Sequence, residues 1–191
     1  MHPGTELIVV FETHATSLDN EAGLASGWFD AALSSTGEQQ ARALGERRRR
    51  EDFAAVFSSD LARAVRTAAI AFPDRTVPIR TDARLRECDY GALTRCPVSE
   101  IEARRADHIV RPFPDGESYQ QVAERVWDWL GETVREFAGR TVLTIGHRAT
   151  YYALEHLVHR IPLEAAVASP WHWQAGWAYR VRLGDRGSQF T

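Results

Sequence analysis

Three features of this sequence predict a three-layer α/β/α sandwich around a mainly parallel central sheet. Short apolar runs of strand length recur along the chain, and amphipathic stretches of helical period separate them. Strands alternating with helices of that length pack as a sheet covered on both faces. The 191 residues, 44% of them apolar, are enough for a real core and fit one domain spanning 1–191.

The elements follow in chain order. Leu7–Phe11 is an apolar strand that stops at the charged Glu12. Ser35–Thr36 gives a cap signal for the helix in STGEQQARALGERRRR, where Ala41 and Leu44 fall at helical spacing. Ala55–Ser58 is the second strand, and SDLARAVRTAAIAF follows it as a helix with Ser59 or Asp60 as N-cap. Pro78–Thr81 is a third strand. From Arg84 to Pro114 the chain carries several prolines and no clear period, so it reads as an excursion holding one helix, VSEIEARR. Ser118 to Phe137 is a long amphipathic helix with Gly139 past its end. Val142–Ile145, apolar and β-branched, is the fourth strand, and RATYYALEHLVHR follows directly as a helix. Trp177–Leu183 alternates apolar with polar residues, the pattern of an edge strand.

Charge and composition exclude several classes. A net charge of −3 and a pI near 6.2 give no overall attraction to nucleic acid or to an anionic membrane. No apolar stretch approaches the roughly 20 residues that cross a bilayer, and no signal peptide is expected from the first apolar run. Cys88 and Cys96 are too few for a disulfide framework and lack metal-ligand spacing, so the expected compartment is the cytoplasm.

In such sheets ligands bind outside the carboxyl ends of the strands. Two strands end in histidine, VVFETHAT with His14 and VLTIGHRAT with His147. A third ends VFSSDLARA, which places Arg63 about one turn into the next helix, whose N-terminal N–H groups are ready for an anion. Acidic partners are at hand in Glu87 of RLRECDYG and Glu117 of PFPDGES. Two imidazoles and a guanidinium over one crevice would suit an anionic ligand.

These same segments resemble the histidine phosphatase (phosphoglycerate mutase-like) superfamily, in its small phosphatase branch. THATSLDN is similar to the opening motif Arg-His-Gly-Glu-Ser/Thr-x-x-Asn, with His14 on the histidine, Ser17 on the Ser/Thr and Asn20 on the asparagine. GWFDAALSSTGEQQARALGERR resembles the segment that follows, and VFSSDLARAVRTA the helix start that carries Arg63. RLRECDYGAL places the acidic proton donor on Glu87. PDGES and VLTIGHRAT are similar to the later motifs, with His147 on the second histidine. The resemblance runs in the right order from about Leu7 to Leu157, and its specificity lies in the set of motifs.

The resemblance implies a metal-independent phosphomonoesterase with no cofactor and a small phosphorylated substrate. His14 would be the nucleophile, forming a phosphohistidine that water hydrolyses. Arg63 and His147 would clamp the phosphoryl oxygens, with Ser17 and Asn20 as further donors. Glu87 would protonate the leaving alkoxide and then activate water. Trp28, Tyr90, Glu117 and Ser118 lie in segments that line the family's pocket and would meet the substrate's organic part. Mutase activity is not expected, because the mutases are longer, with insertions this chain lacks.

Two positions depart from the pattern. Ala15 stands for the glycine, and Thr13 stands for the arginine before the nucleophile. The second loss removes one of two guanidiniums expected on the phosphoryl group, in a place where a charge-assisted hydrogen bond contributes roughly 1.5–3 kcal/mol. Three outcomes are open: another arginine replaces it (Arg148, Arg84 or Arg86), the His/Glu machinery acts on a non-phosphate substrate, or the domain only binds a phospholigand.

Other features have plainer readings. The four arginines of GERRRREDF fit a solvated helix end that complements the helix dipole. The aromatic stretch SPWHWQAGWAYR fits packing on the sheet edge or against a subunit partner, as in a homodimer. His156 and His159 read as an ordinary helix face, and Cys88 as a small buried residue. The excursion from Thr94 to Pro114 and the aromatic stretch are the segments expected to set substrate choice.

Overall fold

The computed structural model describes residues 6–74 and 77–182. Five strands, β1 (Glu6–Thr13), β2 (Ala55–Ser58), β3 (Ile79–Thr81), β4 (Thr141–Gly146) and β5 (Trp177–Arg182), make one sheet in the order β3-β2-β4-β1-β5. The first four are parallel, and β5 runs antiparallel on the edge of β1. The helices are α1 (Leu18–Glu21), α2 (Ser35–Arg48), α3 (Ala62–Ala71), α4 (Val98–Arg104), α5 (Tyr119–Glu136), α6 (Arg148–His159) and α7 (Leu163–Ala168).

The two-residue period of the strands divides the core between the sheet faces. Leu7, Val9 and Phe11 of β1 join Trp129, Leu130 and Leu154 of α5 and α6 in one cluster. Val10 turns the other way and joins Leu44, Ala64 and Ala68 of α2 and α3, with Leu143 and Ile145 of β4. The sandwich expected from the alternation is present, with the carboxyl ends of β1, β2 and β4 side by side at one edge.

The strand β1 runs two residues past its expected end. Glu12 is 2% exposed, yet it stays in the strand because Arg47 at 3.1 Å and Arg48 at 2.7 Å neutralise it. That contact also corrects the reading of the four arginines, since Arg47 and Arg48 clamp a buried carboxylate while Arg47, Arg49 and Arg50 keep an exposed face. The cap of α3 differs as well. Leu61 holds the N-cap position, Asp30 accepts from the Ala62 N–H at 2.8 Å, and Asp60 pairs with Arg86. The N-terminus of α3 is therefore already supplied with an anion by Asp30. Of the edge strand expected over Trp177–Leu183, Leu183 lies outside the described residues.

Candidate active site

His14 follows the last residue of β1, and its own N–H donates to the Gly146 carbonyl of β4 at 2.9 Å. The side chain is oriented locally. Nδ1 lies 2.7 Å from the Ala15 carbonyl, which can only accept, so Nδ1 carries the proton. Nε2 is left with the lone pair, and the Arg63 Nε–H donates to it at 3.3 Å. Burial, reinforced by the Arg63 charge, lowers the imidazole to about 3, so it is neutral at physiological pH.

Arg63 is 2% exposed and sits at the second position of α3. Two backbone carbonyls fix its fork, Phe29 O at 2.9 Å from Nη1 and Gly27 O at 2.8 Å from Nη2. Gly27 adopts a positive φ of 50°, a conformation that favours glycine, and a Cβ there would stand a tight 3.2 Å from the Tyr90 ring. His147 precedes α6, fully buried, with its ring centroid 4.9 Å from that of His14. Its Nδ1 lies 3.3 Å from Arg63 Nη2 and accepts there, which puts the proton on Nε2. That Nε2–H has no partner among the described residues, although it is buried. Burial, then Arg63, then His14 push this imidazole well below its ordinary value.

A cavity of about 310 Å³ opens beside these groups, and Thr13, His14, Asn20, Arg63, Glu87, Tyr90, His147 and Arg148 all line it. Glu87 Oε1 accepts from the Cys88 N–H at 2.8 Å and from the Ala149 N–H at 3.1 Å, the latter in the first turn of α6. Its Oε2 is left open. Asn20 lines the cavity while its Oδ1 accepts from the Ser17 N–H at 3.0 Å and hydroxyl at 2.9 Å.

Several expected residues do other work. Ser17 is fully buried as the N-cap of α1 and orients Asn20. Trp28 donates its indole N–H to the Glu87 carbonyl at 2.7 Å, outside the cavity. Glu117 pairs with Arg125 at 3.0 Å, and Arg125 also donates to the Arg84 and Glu87 carbonyls, so this pair braces the loop bearing Glu87. Ser118 is the N-cap of α5, in a reciprocal pair with Gln121. Arg84 is bound by Asp82 and Glu132, and Arg86 by Asp60; neither reaches the cavity. Cys88 is buried and its thiol is pushed well up by that burial.

Residues of the two segments expected to set substrate choice complete the wall, together with Tyr152, which the sequence did not single out. Arg105, Glu102, Tyr152, Trp171 and Trp173 line the same cavity. Trp171 and Trp177 also pack with Tyr151, so the aromatic stretch serves both the sheet edge and the cavity. Thr13 borders a second space of about 360 Å³ with His14, Thr16, Gln40, Arg47 and Trp173. Among the described residues no three His, Cys, Asp or Glu side chains are grouped to hold a metal ion. No helix among them is long and apolar enough to cross a membrane.

Comparison with known proteins agrees with this geometry. The family profile "Histidine phosphatase superfamily (branch 1)" matches residues 9–189. A 2,3-bisphosphoglycerate-dependent phosphoglycerate mutase of Methylobacterium radiotolerans is 34% identical over 165 residues, 78% of this chain and 77% of that one. Among solved structures, YhfR of Bacillus stearothermophilus superposes with a TM-score of 0.76 at 26% identity, covering 88% of each chain. A mycobacterial glucosyl-3-phosphoglycerate phosphatase in complex with VO3 gives 0.75 at 25% identity, covering 86% of each. With both strand-end histidines, the buried arginine and the carboxylate in one cavity, the chain belongs to the histidine phosphatase superfamily, branch 1.

Proposed function

We propose that this protein is a phosphomonoesterase that works without a metal and passes the phosphoryl group through His14. The family and its phosphatase-named members support a phosphatase-type activity on a small phosphorylated compound. The observation that carries the finer reading is the tautomer of His14. Nδ1 is bound to the Ala15 carbonyl, so the free lone pair is on Nε2, which faces Arg63.

In the first step Nε2 forms a bond to phosphorus while the bond from phosphorus to the substrate's alcohol oxygen breaks. Arg63 and the unpartnered Nε2–H of His147 donate to the non-bridging oxygens, whose charge is then met by fixed groups. The alkoxide takes its proton from Oε2 of Glu87, the oxygen its two backbone donors leave open. In the second step Glu87 removes a proton from water, the oxygen adds to phosphorus, and the bond to Nε2 breaks to release inorganic phosphate. The amide of Asn20 is placed for one further contact. Arg148, also in the wall, is engaged by Tyr152 and Glu102, so it stands beside the phosphoryl position and does not replace the guanidinium absent at Thr13.

The test is phosphate release from a panel of phosphorylated metabolites in the presence of EDTA, with His14→Ala as control. Acid quenching should destroy, and alkaline quenching preserve, a phosphorylated form of the protein that His14→Ala cannot form. A panel without His14-dependent release would overturn the reading.

A further inference from the structure

The main chain of Glu87 is held by a side chain that does not line the cavity. Four consecutive residues, Gly27 to Asp30, reach both halves of the site. Gly27 and Phe29 turn their carbonyls to the Arg63 fork at 2.8 and 2.9 Å, and Asp30 accepts from the Ala62 N–H at the start of α3. Trp28 reaches the other half. Its indole N–H donates to the Glu87 carbonyl at 2.7 Å, the one hydrogen bond among the described residues that joins this segment to Glu87.

That carbonyl belongs to the same peptide unit as the Cys88 N–H, and a peptide unit is planar and turns as one body. The Cys88 N–H donates to Glu87 Oε1 at 2.8 Å, and the Ala149 N–H donates to the same oxygen at 3.1 Å. A rotation of this unit would pull on the carboxylate and re-aim Oε2, the oxygen that gives up the proton. Two donors from different elements oppose the rotation. Trp28 holds the carbonyl at 2.7 Å and Arg125 of α5 holds it at 3.0 Å, which uses both lone pairs. Trp28 is fixed in turn by Arg86, whose guanidinium carbon lies 4.6 Å from the centre of its ring. Arg86 pairs with Asp60 at 2.6 Å, just before α3. The contacts thus close a ring from Arg63 through Trp28 to Glu87 and back to the helix that bears Arg63.

We propose that Trp28 is a positioning residue that sets the span between Arg63 on the phosphoryl group and Glu87 Oε2 on the leaving oxygen. It is 37% exposed and outside the cavity wall, so it acts through Glu87 and touches no substrate. Proton transfer is sensitive to such placement, since an error of about 1 Å can cost on the order of a hundredfold. Trp28 has this role in catalysis only if Glu87 is the acid proposed above.

Trp28→Phe removes the N–H and keeps a ring against Arg86, and a thermal melt establishes that the variant is folded. The kinetic readout is the ratio of kcat on glycerol 3-phosphate to kcat on p-nitrophenyl phosphate, whose leaving group needs no added proton. The ratio should fall about tenfold in Trp28→Phe and further in Glu87→Gln. A second readout needs no turnover: hydrogen exchange of the Cys88 and Ala149 amides, followed by NMR, should quicken about threefold or more in Trp28→Phe. Unchanged exchange of both amides overturns the proposal, as does a ratio that Glu87→Gln lowers and Trp28→Phe leaves alone. If the unaltered protein releases no phosphate, or Glu87→Gln leaves the ratio unmoved, the catalytic reading fails instead. Quickened exchange would then still show that Trp28 holds the Glu87 carboxylate in place.

Discussion

Replacing Thr13 with arginine should raise phosphatase activity. Among the described contacts Arg63 is the one guanidinium that touches the His14 ring, so the phosphoryl group meets one such fork. Thr13 borders spaces of about 310 and 360 Å³, which give a longer side chain room to reach His14. One added charge-assisted hydrogen bond contributes roughly 1.5–3 kcal/mol. If it strengthens in the transition state, the gain is on the order of ten- to a hundredfold, at about 1.4 kcal/mol per factor of ten. The assay is kcat/KM for p-nitrophenyl phosphate in EDTA, with a thermal melt to establish that Thr13→Arg is folded. An unchanged or lower kcat/KM in a folded variant would refute the idea that positive charge at this position limits the rate.

Glu87→Gln should lower kcat about 10²- to 10⁴-fold on an alkyl phosphate and much less on p-nitrophenyl phosphate, whose leaving group needs no proton; equal losses on both would deny Glu87 the acid role. Acidification should destabilise the fold. The unfolded imidazole titrates near 6.5 and folded His14 at about 3, so between those values the unfolded state binds more protons and stability falls as pH drops. From His14 alone the loss at pH 5 is about 2 kcal/mol. Urea unfolding at pH 7 and 5 should show it, and the drop should shrink in His14→Ala; a drop of the same size in both proteins would count against this origin. Glu12→Gln leaves Arg47 without its counter-charge and Arg48 with Glu51 alone, and should cost about 1–3 kcal/mol in urea unfolding; a change below about 0.5 kcal/mol would show that the buried carboxylate is not what holds that corner.

The sheet and its main helices were legible because their apolar periods match their burial. His14, His147, Arg63 and Glu87 were legible because strand ends and motif order mark them, and they do line one cavity. Glu117 and Ser118 were assigned to the pocket on motif membership, yet SYQQ also carries the capping signature that Ser118 and Gln121 fulfil. Spacing alone does not tell a polar residue that caps a helix from one that faces a ligand. Arg105 comes from the aperiodic excursion, and Tyr152 from a helix face that could equally have been core. Their meeting depends on how α4 and the turn after it fold over α6, which no local pattern encodes. Glu12 misled in the opposite sense, because a charge within an apolar run marks a strand end unless its partners, here two residues of the arginine run, are known.

The clamp on Glu12 bears on how this corner of the fold should respond to ionic strength. Arg47 and Arg48 face Glu12, and Arg48 also pairs with Glu51 at 2.7 Å, so the charges of the cluster cancel. The contact between Arg48 and Glu12 joins side chains that are 14% and 2% exposed, and mobile ions screen such a pair far less than one at the surface. It should therefore persist in concentrated salt, where the pairing of the exposed Arg49 with Glu46 would fade.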